Sequence, residues 1–343
     1  MPSDDKAERS PPLSERAFGI VSTARSGLRR APRNLKETRD FQPLQLADGG
    51  TAWLSWWWAP GYSSSPPATI LLCPGLNNNS HLPFVQHAVA MLLRRNFTVA
   101  VFDYRATVGP LTSARLFGAD SWADLPEVVE AVRKRSPYGS RLFGVGHSMG
   151  GSMLVKYASV AGANCPLHAI ATISSPYSLS AHQKRLESSL SWRLLNLITS
   201  SAARLSLYRL WLTEPRSRQH LTSIKWWDLL TAMSLRELEA ATICPMNGFS
   251  DPEQYYAFAT ADLERIEVPL LAMHARDDPV IGIAELPLAE LRARPRITLV
   301  LTDRGGHLGY FGSDEGARLI DEHVGTFLER QRDSDMPVIR ARL

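Results

Sequence analysis

The sequence predicts an α/β protein with a mostly parallel, eight-stranded sheet, helices on both faces and a helical cap inserted after strand 6. Two observations predict this fold. Short apolar runs alternate with helix-like segments up to about residue 177, and the alternation returns from 267 to 331. Between them, residues 178–266 carry apolar helical patterns and no clear strand. Strands that alternate with helices favour parallel pairing, because each crossover returns the chain to the same edge of the sheet.

The composition is that of a soluble globular protein with a sizeable core. The chain has 343 residues, of which 44% are apolar and 21% charged, and its formal net charge is +4. The basic residues form no block with interleaved aromatic residues, so the sequence does not favour a nucleic-acid partner. It also contains no run of 18 apolar residues, and it therefore predicts no transmembrane helix.

The three cysteines, Cys73, Cys165 and Cys244, are odd in number and widely spaced. This pattern suits neither a disulfide framework nor a zinc site, and it favours a reducing compartment. We therefore expect a cytoplasmic protein that needs neither a metal nor an organic cofactor. The sequence leaves the oligomeric state open.

The N-terminal segment is expected to contribute little to the core. Residues 1–40 are rich in Ser, Pro, Arg and Ala and show little apolar periodicity, which predicts a flexible arm. The alternative is a basic, weakly amphipathic segment that makes peripheral contact with a membrane surface. Alternation at 41–46, a turn at 48–50 and an apolar run at 51–58 then predict a β-hairpin.

The remaining elements follow in the order that an α/β sheet requires. Strands are expected at 68–73, 97–102, 141–145, 168–174, 268–274 and 297–301. Helices are expected at 82–95, 122–135, 149–159, 286–293 and 315–331. These elements divide the chain into an N-terminal arm (1–40), a core (41–177 and 267–331), an inserted cap (178–266) and a C-terminal tail (332–343).

The most informative motif is Gly146-His147-Ser148-Met149-Gly150, a G-x-S-x-G pentapeptide. An apolar run precedes it and a helical pattern follows it, so Ser148 is expected on a sharp strand-to-helix turn. Such a turn holds the serine in a strained backbone conformation and exposes its Oγ as a nucleophile. The alternative is a glycine-rich turn with an incidental serine, since the pentapeptide alone also occurs by chance.

An oxyanion hole is expected beside Ser148. Acyl transfer needs N–H groups that stabilise the negative charge of the tetrahedral intermediate. The N–H of Met149 lies at the start of the predicted helix, and the polar loop after the strand at 68–73 supplies the N–H of Leu76. The alternative for this loop is a plain strand-to-helix connection.

The candidate substrate-binding residues are Asn77 in the same loop, His147 beside the nucleophile, and Tyr177 after the next strand. Most apolar residues of the cap are expected to seal it onto the body of the protein. A minority would line an apolar pocket for an acyl chain.

A carboxylate and a histidine follow the serine in the chain order serine, acid, histidine. Two aspartates compete for the acid role after the strand at 268–274. Asp278 precedes Pro279 and Val280, a pattern that places the acid on the turn after the strand. Asp277 is expected to cap the turn or to point outward.

The expected general base is His307, which follows Gly305 and Gly306 after the last strand. Three other histidines compete with it. His274 lies within a strand, where we expect a packed residue, and His147 is expected to shape the pocket. His81 follows the oxyanion loop and is a candidate for lining the site.

With these residues in place, the chain resembles the AB-hydrolase family-4 group of α/β-hydrolases. That group includes mammalian lipases and phospholipases, plant embryogenesis-associated proteins, yeast acyltransferases that form ethyl esters, and bacterial esterases. The most specific matches lie at 247–249 and 255–256 in the cap and at 305–311 after the last strand. Further matches lie at 48–50, 74–76, 105, 146–157, 174–177, 269–271 and 275–280.

The resemblance covers about residues 42–330, and it implies an α/β-hydrolase fold with a Ser148–Asp278–His307 triad. It also implies activity on carboxylic esters, often lipid-like. We therefore expect a serine hydrolase that acts on small-molecule acyl esters or lipids. The alternatives are an acyltransferase to an alcohol and a non-catalytic acyl- or lipid-binding module. Some relatives carry an H-x-x-x-x-D element linked to acyl transfer; the fifth residue after His307 is Gly312, which favours hydrolysis.

Overall fold

A sheet of eight strands positions the rest of the fold. The computed structural model describes residues 13–32, 35, 39–59 and 68–334. The strands are β1 (Asp40–Gln45), β2 (Thr51–Trp57), β3 (Ala68–Cys73), β4 (Thr98–Asp103), β5 (Arg141–His147), β6 (Ala169–Ile173), β7 (Leu270–Ala275) and β8 (Ile297–Thr302). They lie side by side in the order β1-β2-β4-β3-β5-β6-β7-β8.

Most of these strands are parallel. β1 and β2 form the expected hairpin, and β2 pairs antiparallel with β4. The other pairs, from β4 through β3 and β5 to β8, are parallel. The prediction of a mostly parallel eight-stranded sheet is confirmed. Because parallel strands end at the same edge of a sheet, the loops that follow β3, β5, β7 and β8 meet there.

Helices cover both faces of the sheet, as predicted. The described helices are α1 (Leu13–Leu28), α2 (Pro83–Arg94), α3 (Leu125–Arg135), α4 (Met149–Ala161), α5 (Leu179–Leu186), α6 (Leu190–Thr213), α7 (Pro215–Arg218), α8 (Trp226–Thr231), α9 (Leu235–Ala241), α10 (Ile243–Asn247), α11 (Pro252–Ala259), α12 (Leu288–Ala293), α13 (Asp314–Ile320) and α14 (Thr326–Asp333). The fully buried strand β3 shows the two layers. Ile70 and Leu72 join the apolar cluster that contains α2, whereas Leu71 and Cys73 join the cluster that contains α3 and α4.

Between β6 and β7 the chain forms helices α5 to α11 and no strand, in a segment that the structure describes throughout. These helices surround an apolar cluster of their own, which includes Leu229, Leu238 and Tyr255. Leu111 from the loop after β4 and Met149 from the start of α4 belong to the same cluster. The inserted helices therefore pack on the sheet edge at which α4 begins.

The N-terminal arm is partly ordered, which corrects the expectation for residues 1–40. Helix α1 packs against the segment that follows β8, and a Cβ on Gly19 would lie only 1.9 Å from the backbone oxygen of Asp277. The helix was missed because small residues, rather than an apolar stripe, make this contact. Residues 1–12 of the predicted arm lie outside the described part of the chain.

The C-terminal tail begins later than predicted. Helix α14 extends to Asp333, and the guanidinium of Arg332 donates a hydrogen bond to the backbone oxygen of Arg95 at 2.9 Å. Residues 335–343 of the predicted tail lie outside the described residues. Within the described ranges, no helix has the length and apolarity that crossing a bilayer requires.

Candidate active site

Ser148 lies on a sharp turn between β5 and α4, as the motif predicts. Its backbone angles are φ 51° and ψ −123°, a conformation that side-chain-bearing residues rarely adopt. The N–H of Ser148 donates to the carbonyl of Ile173 at 2.9 Å, which ties the turn to β6. A Cβ on Gly146 would lie 2.3 Å from the Cα of Gly151, so this turn requires glycine at that position.

The structure brings Ser148, His307 and Asp278 into one hydrogen-bonded chain. The Oγ of Ser148 lies 3.0 Å from Nε2 of His307, and Nδ1 of His307 lies 3.0 Å from Oδ2 of Asp278. Ser148 follows β5, Asp278 follows β7, and His307 follows β8. Three loops, each of which follows a parallel strand, therefore supply the three side chains. Ser148 and His307 meet although they are 159 positions apart in sequence.

Asp278 is held rigidly on its turn. Its side chain is fully buried, and Oδ1 accepts hydrogen bonds from the N–H groups of Val280 at 2.8 Å and Ile281 at 2.9 Å. Burial opposes ionisation, but the charge and hydrogen bond of His307 prevail and hold the pKa of Asp278 below its usual value. The carboxylate is therefore ionised and aimed at the imidazole.

Of the two expectations for Asp277, the outward orientation is wrong, and the side chain instead accepts a backbone N–H group. The residue is fully buried, and its Oδ1 accepts the backbone N–H of Gly306 at 2.8 Å. Burial raises the pKa of this carboxyl group. The two adjacent aspartates thus have different partners: Asp278 contacts the imidazole of His307, and Asp277 fixes the backbone that precedes it.

Helix α1 also holds the His307 loop, a contribution that the sequence analysis missed. The N–H of His307 donates to Oγ1 of Thr23 at 2.8 Å, and that hydroxyl donates to the carbonyl of Gly19 at 2.8 Å. Gly306 has a φ of 56°, and a Cβ there would lie 2.5 Å from the same carbonyl. The available signal was the small-residue spacing at 19, 22, 23 and 26, which places one face of a helix against a glycine-rich loop.

The loop after β3 lies against Ser148, where the predicted oxyanion hole requires it. A Cβ on Gly75 would lie 3.2 Å from the Cβ of Ser148, so Leu76 immediately follows the point of closest approach. The hydroxyl of Tyr104 donates to the carbonyl of Pro74 at 2.7 Å and fixes this loop. On the other side, Met149 is the first residue of α4, where backbone N–H groups lack acceptors within the helix.

Of the predicted substrate-binding residues, only Asn77 lines the cavity that borders the oxyanion loop. His147 is fully buried. The centroid of its ring lies 6.1 Å from that of Phe84 and 5.4 Å from that of Phe311. Burial, reinforced by the nearby His307, lowers the pKa of His147 to about 3, so the ring is neutral. The expected substrate contact fails because the side chain of His147 points into the core.

Tyr177 likewise lies away from the cavity. It is buried, and its hydroxyl group lies 2.7 Å from Oγ1 of Thr172. Of the competing histidines, His274 is a packed core residue as expected, with Nε2 3.0 Å from the carbonyl of Ile281. His81 is exposed and borders an adjoining surface cavity, which shares Asn77 and Leu210 with the cavity beside the oxyanion loop.

The cavity has a volume of about 100 Å³ and is partly open to solvent. It lies between the oxyanion loop and the inserted helices. Most of its lining is apolar, including Leu76, Leu116, Phe117, Leu207, Leu210, Leu235, Leu238 and Ile243. Such a lining suits an acyl chain better than a polar ligand.

One carboxyl group interrupts the apolar lining. Glu239 borders the cavity, and its Oε2 accepts a hydrogen bond from the hydroxyl of Tyr256 at 2.6 Å. Burial, which outweighs this hydrogen bond, raises the pKa of Glu239 to about 8. At neutral pH the group is therefore mainly protonated. Among the described residues, no three His, Cys, Asp or Glu side chains are grouped as a metal site requires.

Comparisons with known proteins find relatives that are named as phospholipases and esterases. The mouse phospholipase ABHD3 is 28% identical over 274 residues, which cover 78% of this chain and 65% of the relative. A yeast medium-chain fatty acid ethyl ester synthase/esterase is 28% identical over 270 residues, which cover 72% of this chain and 59% of the relative. The chain thus spans less than two thirds of the length of either relative.

Solved structures and a family model complete the comparison. The esterase Pf2001 of Pyrococcus furiosus superposes with a TM-score of 0.57 at 16% identity, over 89% of this chain and 95% of the esterase, and so shares its fold. Residues 70–322 match the model of the alpha/beta hydrolase family. Because this match spans well over half of the sequence, the chain belongs to the alpha/beta hydrolase family.

Proposed function

We propose that the protein is a serine hydrolase that cleaves carboxylic esters through an acyl-enzyme. The observation that carries this proposal is the hydrogen-bonded chain from Ser148 through His307 to Asp278, with the serine on a strained turn. A buried, ionised carboxylate, a histidine and a serine in this order form the arrangement that activates a hydroxyl group for attack on a carbonyl.

In the proposed mechanism, Oγ of Ser148 attacks the ester carbonyl carbon while Nε2 of His307 accepts the hydroxyl proton. Asp278 keeps the Nδ1–H tautomer and stabilises the imidazolium that forms. The N–H groups of Leu76 and Met149 donate to the oxyanion of the tetrahedral intermediate. His307 then gives the proton to the leaving alcohol. Water, activated in the same way, releases the acid from Ser148 and restores the enzyme.

We infer that the substrate carries an apolar acyl group. The cavity beside Leu76 is lined mainly by aliphatic and aromatic side chains, and it is large enough for several methylene groups. The names of the relatives point the same way, since one is a phospholipase and another acts on medium-chain fatty acid ethyl esters. Asn77 lines the cavity in the same loop as Leu76 and is proposed to contact the ester group.

A fluorophosphonate probe tests the nucleophile directly. We expect the wild-type protein to be labelled and Ser148→Ala to remain unlabelled. Ser223→Ala, which changes an exposed serine of the inserted segment, serves as the matched control and should label normally. Labelling of Ser148→Ala at the wild-type level, or no labelling of the folded wild type, would contradict the proposal.

A panel of p-nitrophenyl esters of increasing acyl length then tests the substrate class. We expect kcat/KM to rise with chain length until the cavity is filled, because each buried methylene contributes about 0.8 kcal/mol. The matched variant is Leu207→Asn, which places a polar amide in the apolar lining. It should lower the rate for longer chains and leave acetate hydrolysis nearly unchanged. A rate that falls steadily beyond acetate would argue against an acyl-chain site.

A second candidate function is acyl transfer to an alcohol, and it is supported by the synthase activity in the name of the yeast relative. The acyl-enzyme would be the same, but an alcohol instead of water would attack it. Titration of ethanol into the ester assay separates the two reactions by the ratio of ethyl ester to free acid. A ratio that exceeds the simple competition of ethanol with water would favour the transferase.

A further inference from the structure

Helix α6 has apolar side chains on two opposite faces. One face is buried and includes Trp192 and Ala203. The outward face carries Leu190, Leu194, Ile198, Leu205 and Leu212, whose exposed fractions range from 57% to 85%. Their spacing of four or seven residues keeps them on one side of the helix. The helix therefore presents a leucine-rich stripe to its surroundings.

Helix α8 widens this stripe. Its Trp226 packs against Trp211 of α6 with ring centroids 5.9 Å apart. The guanidinium of Arg204 donates to the carbonyls of Leu230 and Ala232, both at 3.0 Å, and so ties the end of α8 to α6. Trp227 and Leu230 of α8 and Met233, which follows it, are also exposed. We call the exposed apolar residues of α6 together with these three the cap surface.

The cap surface concentrates the exposed apolar groups of the molecule. Among the described residues, 18 large hydrophobic side chains are exposed, and nine of them lie at 190–233. Scattered apolar residues on a surface are ordinary, but a contiguous patch marks a place where another apolar phase is bound.

The charge of the same segment indicates which phase. Residues 190–233 contain six Lys or Arg and two Asp or Glu, an excess of four positive charges that equals the formal net charge of the whole chain, +4. The exposed cations of this segment are Arg193, Arg209, Arg216, Arg218 and Lys225. Leucines and tryptophans bordered by long basic side chains fit the boundary between acyl chains and anionic headgroups.

The inner side of α6 lines the cavity beside the oxyanion loop. Leu207 and Leu210 line the cavity beside Leu76, while Leu205 and Leu212 of the same helix point outward. A lipid surface bound to the outer face would therefore lie one helix diameter from the cavity. This places a reservoir of acyl esters next to the site that is proposed to cleave them.

We propose that the cap surface docks the protein on the surface of an anionic lipid bilayer, with α6 lying in the plane of the headgroups. The docking needs only the outer residues of α6 and α8. The further step, in which the bilayer supplies the ester, rests on the proposed function. The two are separable because Ser148→Ala removes the nucleophile and leaves the cap surface unchanged.

The test is vesicle flotation of the full-length Ser148→Ala protein. We expect it to float with phosphatidylcholine vesicles that contain phosphatidylglycerol, to bind pure phosphatidylcholine vesicles more weakly, and to lose the difference at high salt. Adding Leu194→Asp and Ile198→Asp should lower the partition coefficient by at least about tenfold, since two charges would enter the apolar boundary. Adding Tyr138→Asp instead, at a side chain that is 98% exposed outside the cap surface, should leave binding unchanged.

Absence of flotation with the anionic vesicles, or equal loss in the Tyr138→Asp protein, would overturn the docking proposal. A second copy of the chain is the other occupant to consider. If Leu194→Asp with Ile198→Asp converts a dimer to a monomer in size-exclusion chromatography and vesicles bind neither form, the cap surface is a dimer interface and the proposal is wrong. The same two substitutions are also made in the protein that keeps Ser148. Hydrolysis of p-nitrophenyl butyrate by that variant shows that its fold is intact. Flotation without ester hydrolysis in the wild type would reject the proposed function alone.

Discussion

The backbone N–H of His307 donates a hydrogen bond to the hydroxyl of Thr23 at 2.8 Å, across 284 positions of sequence. The same hydroxyl donates to the carbonyl of Gly19, so the turn of α1 and the loop after β8 share one hydrogen-bond chain. His307 is thus held through both its side chain and its backbone. Asp278 orients its ring, and helix α1 fixes its backbone.

We predict that Thr23→Val lowers kcat about tenfold for a soluble ester while KM changes little, because a small displacement of a general base reduces proton transfer more than binding. The N–H of His307 would lose its acceptor. Thr23→Ser retains the hydroxyl and should restore most of the activity. Steady-state kinetics on all three proteins checks this. Equal kcat in wild type and Thr23→Val would show that α1 does not position the base.

The close approach of α1 also predicts a contrast between two glycines. Both Gly306 and Gly139 have a positive φ, 56° and 74° respectively. A Cβ on Gly306 would lie 2.5 Å from the carbonyl oxygen of Gly19, whereas a Cβ on Gly139 would have no other atom within 4 Å. Gly139→Ala should therefore cost only about 1 kcal/mol of unfolding free energy, from backbone strain alone. Gly306→Ala should cost about 2–4 kcal/mol, since α1 or the loop must also move. Urea unfolding of both variants measures the difference. Comparable losses of unfolding free energy would mean that α1 can move away from Gly306 at little cost.

The sequence predicted the Ser148–His307–Asp278 arrangement because each of these residues lies in the loop that follows a strand, zero to four residues after the loop begins. Parallel strands end at one edge, so position along the chain determines position in space for such residues. The same reasoning could not separate the roles of Asp277 and Asp278. Both follow β7, and only the path of the turn decides that Asp277 meets the N–H of Gly306 instead of water.

Helix α1 and the cavity lie beyond that reasoning for different reasons. Contacts of α1 depend on small side chains and backbone atoms, which leave no apolar periodicity to detect. The cavity depends on how α6 and α9 are rotated within the cap. Since α6 is apolar on two faces, periodicity alone could not tell Leu207, which lines the cavity, from Leu205, which is exposed.

The position of His147 leads to a prediction that departs from the sequence-based expectation. Neither ring nitrogen has a hydrogen-bond partner among the described residues, and the ring packs between Phe84 and Phe311. His147→Leu should therefore be neutral or stabilising by up to about 2 kcal/mol, since it removes unsatisfied polar atoms from the core. Its kcat/KM for short esters should stay within about threefold of wild type, because the side chain is buried and does not line the cavity. Thermal unfolding and ester kinetics test both statements. A loss of activity at unchanged stability would contradict the prediction and indicate that His147 contacts the substrate.

Glu239 makes the stability of the protein and its choice of substrate depend on pH. Its pKa is raised to about 8 in the folded protein by burial, so folding favours the protonated carboxyl group. Its contribution to the free energy of unfolding is therefore full below the ordinary glutamate pKa and is lost as pH rises toward 8. Three other residues surround the carboxyl group of Glu239. The hydroxyl of Tyr256 donates a hydrogen bond to it, and Asp120 and Tyr255 lie close enough to interact with its charge.

We predict that the ratio of kcat/KM for a long-chain ester to that for p-nitrophenyl acetate falls as pH rises through about 8, because an ionised carboxylate in an apolar cavity repels an acyl chain. The acetate does not reach Glu239 and cancels effects on the nucleophile and base. Glu239→Gln keeps an acceptor for the hydroxyl of Tyr256 but cannot ionise, so its ratio should remain constant between about pH 6 and 9. The free energy of unfolding of the wild type should also decline relative to Glu239→Gln over that interval. If both proteins show the same decline in ratio, the titrating group is not Glu239 and the prediction is wrong.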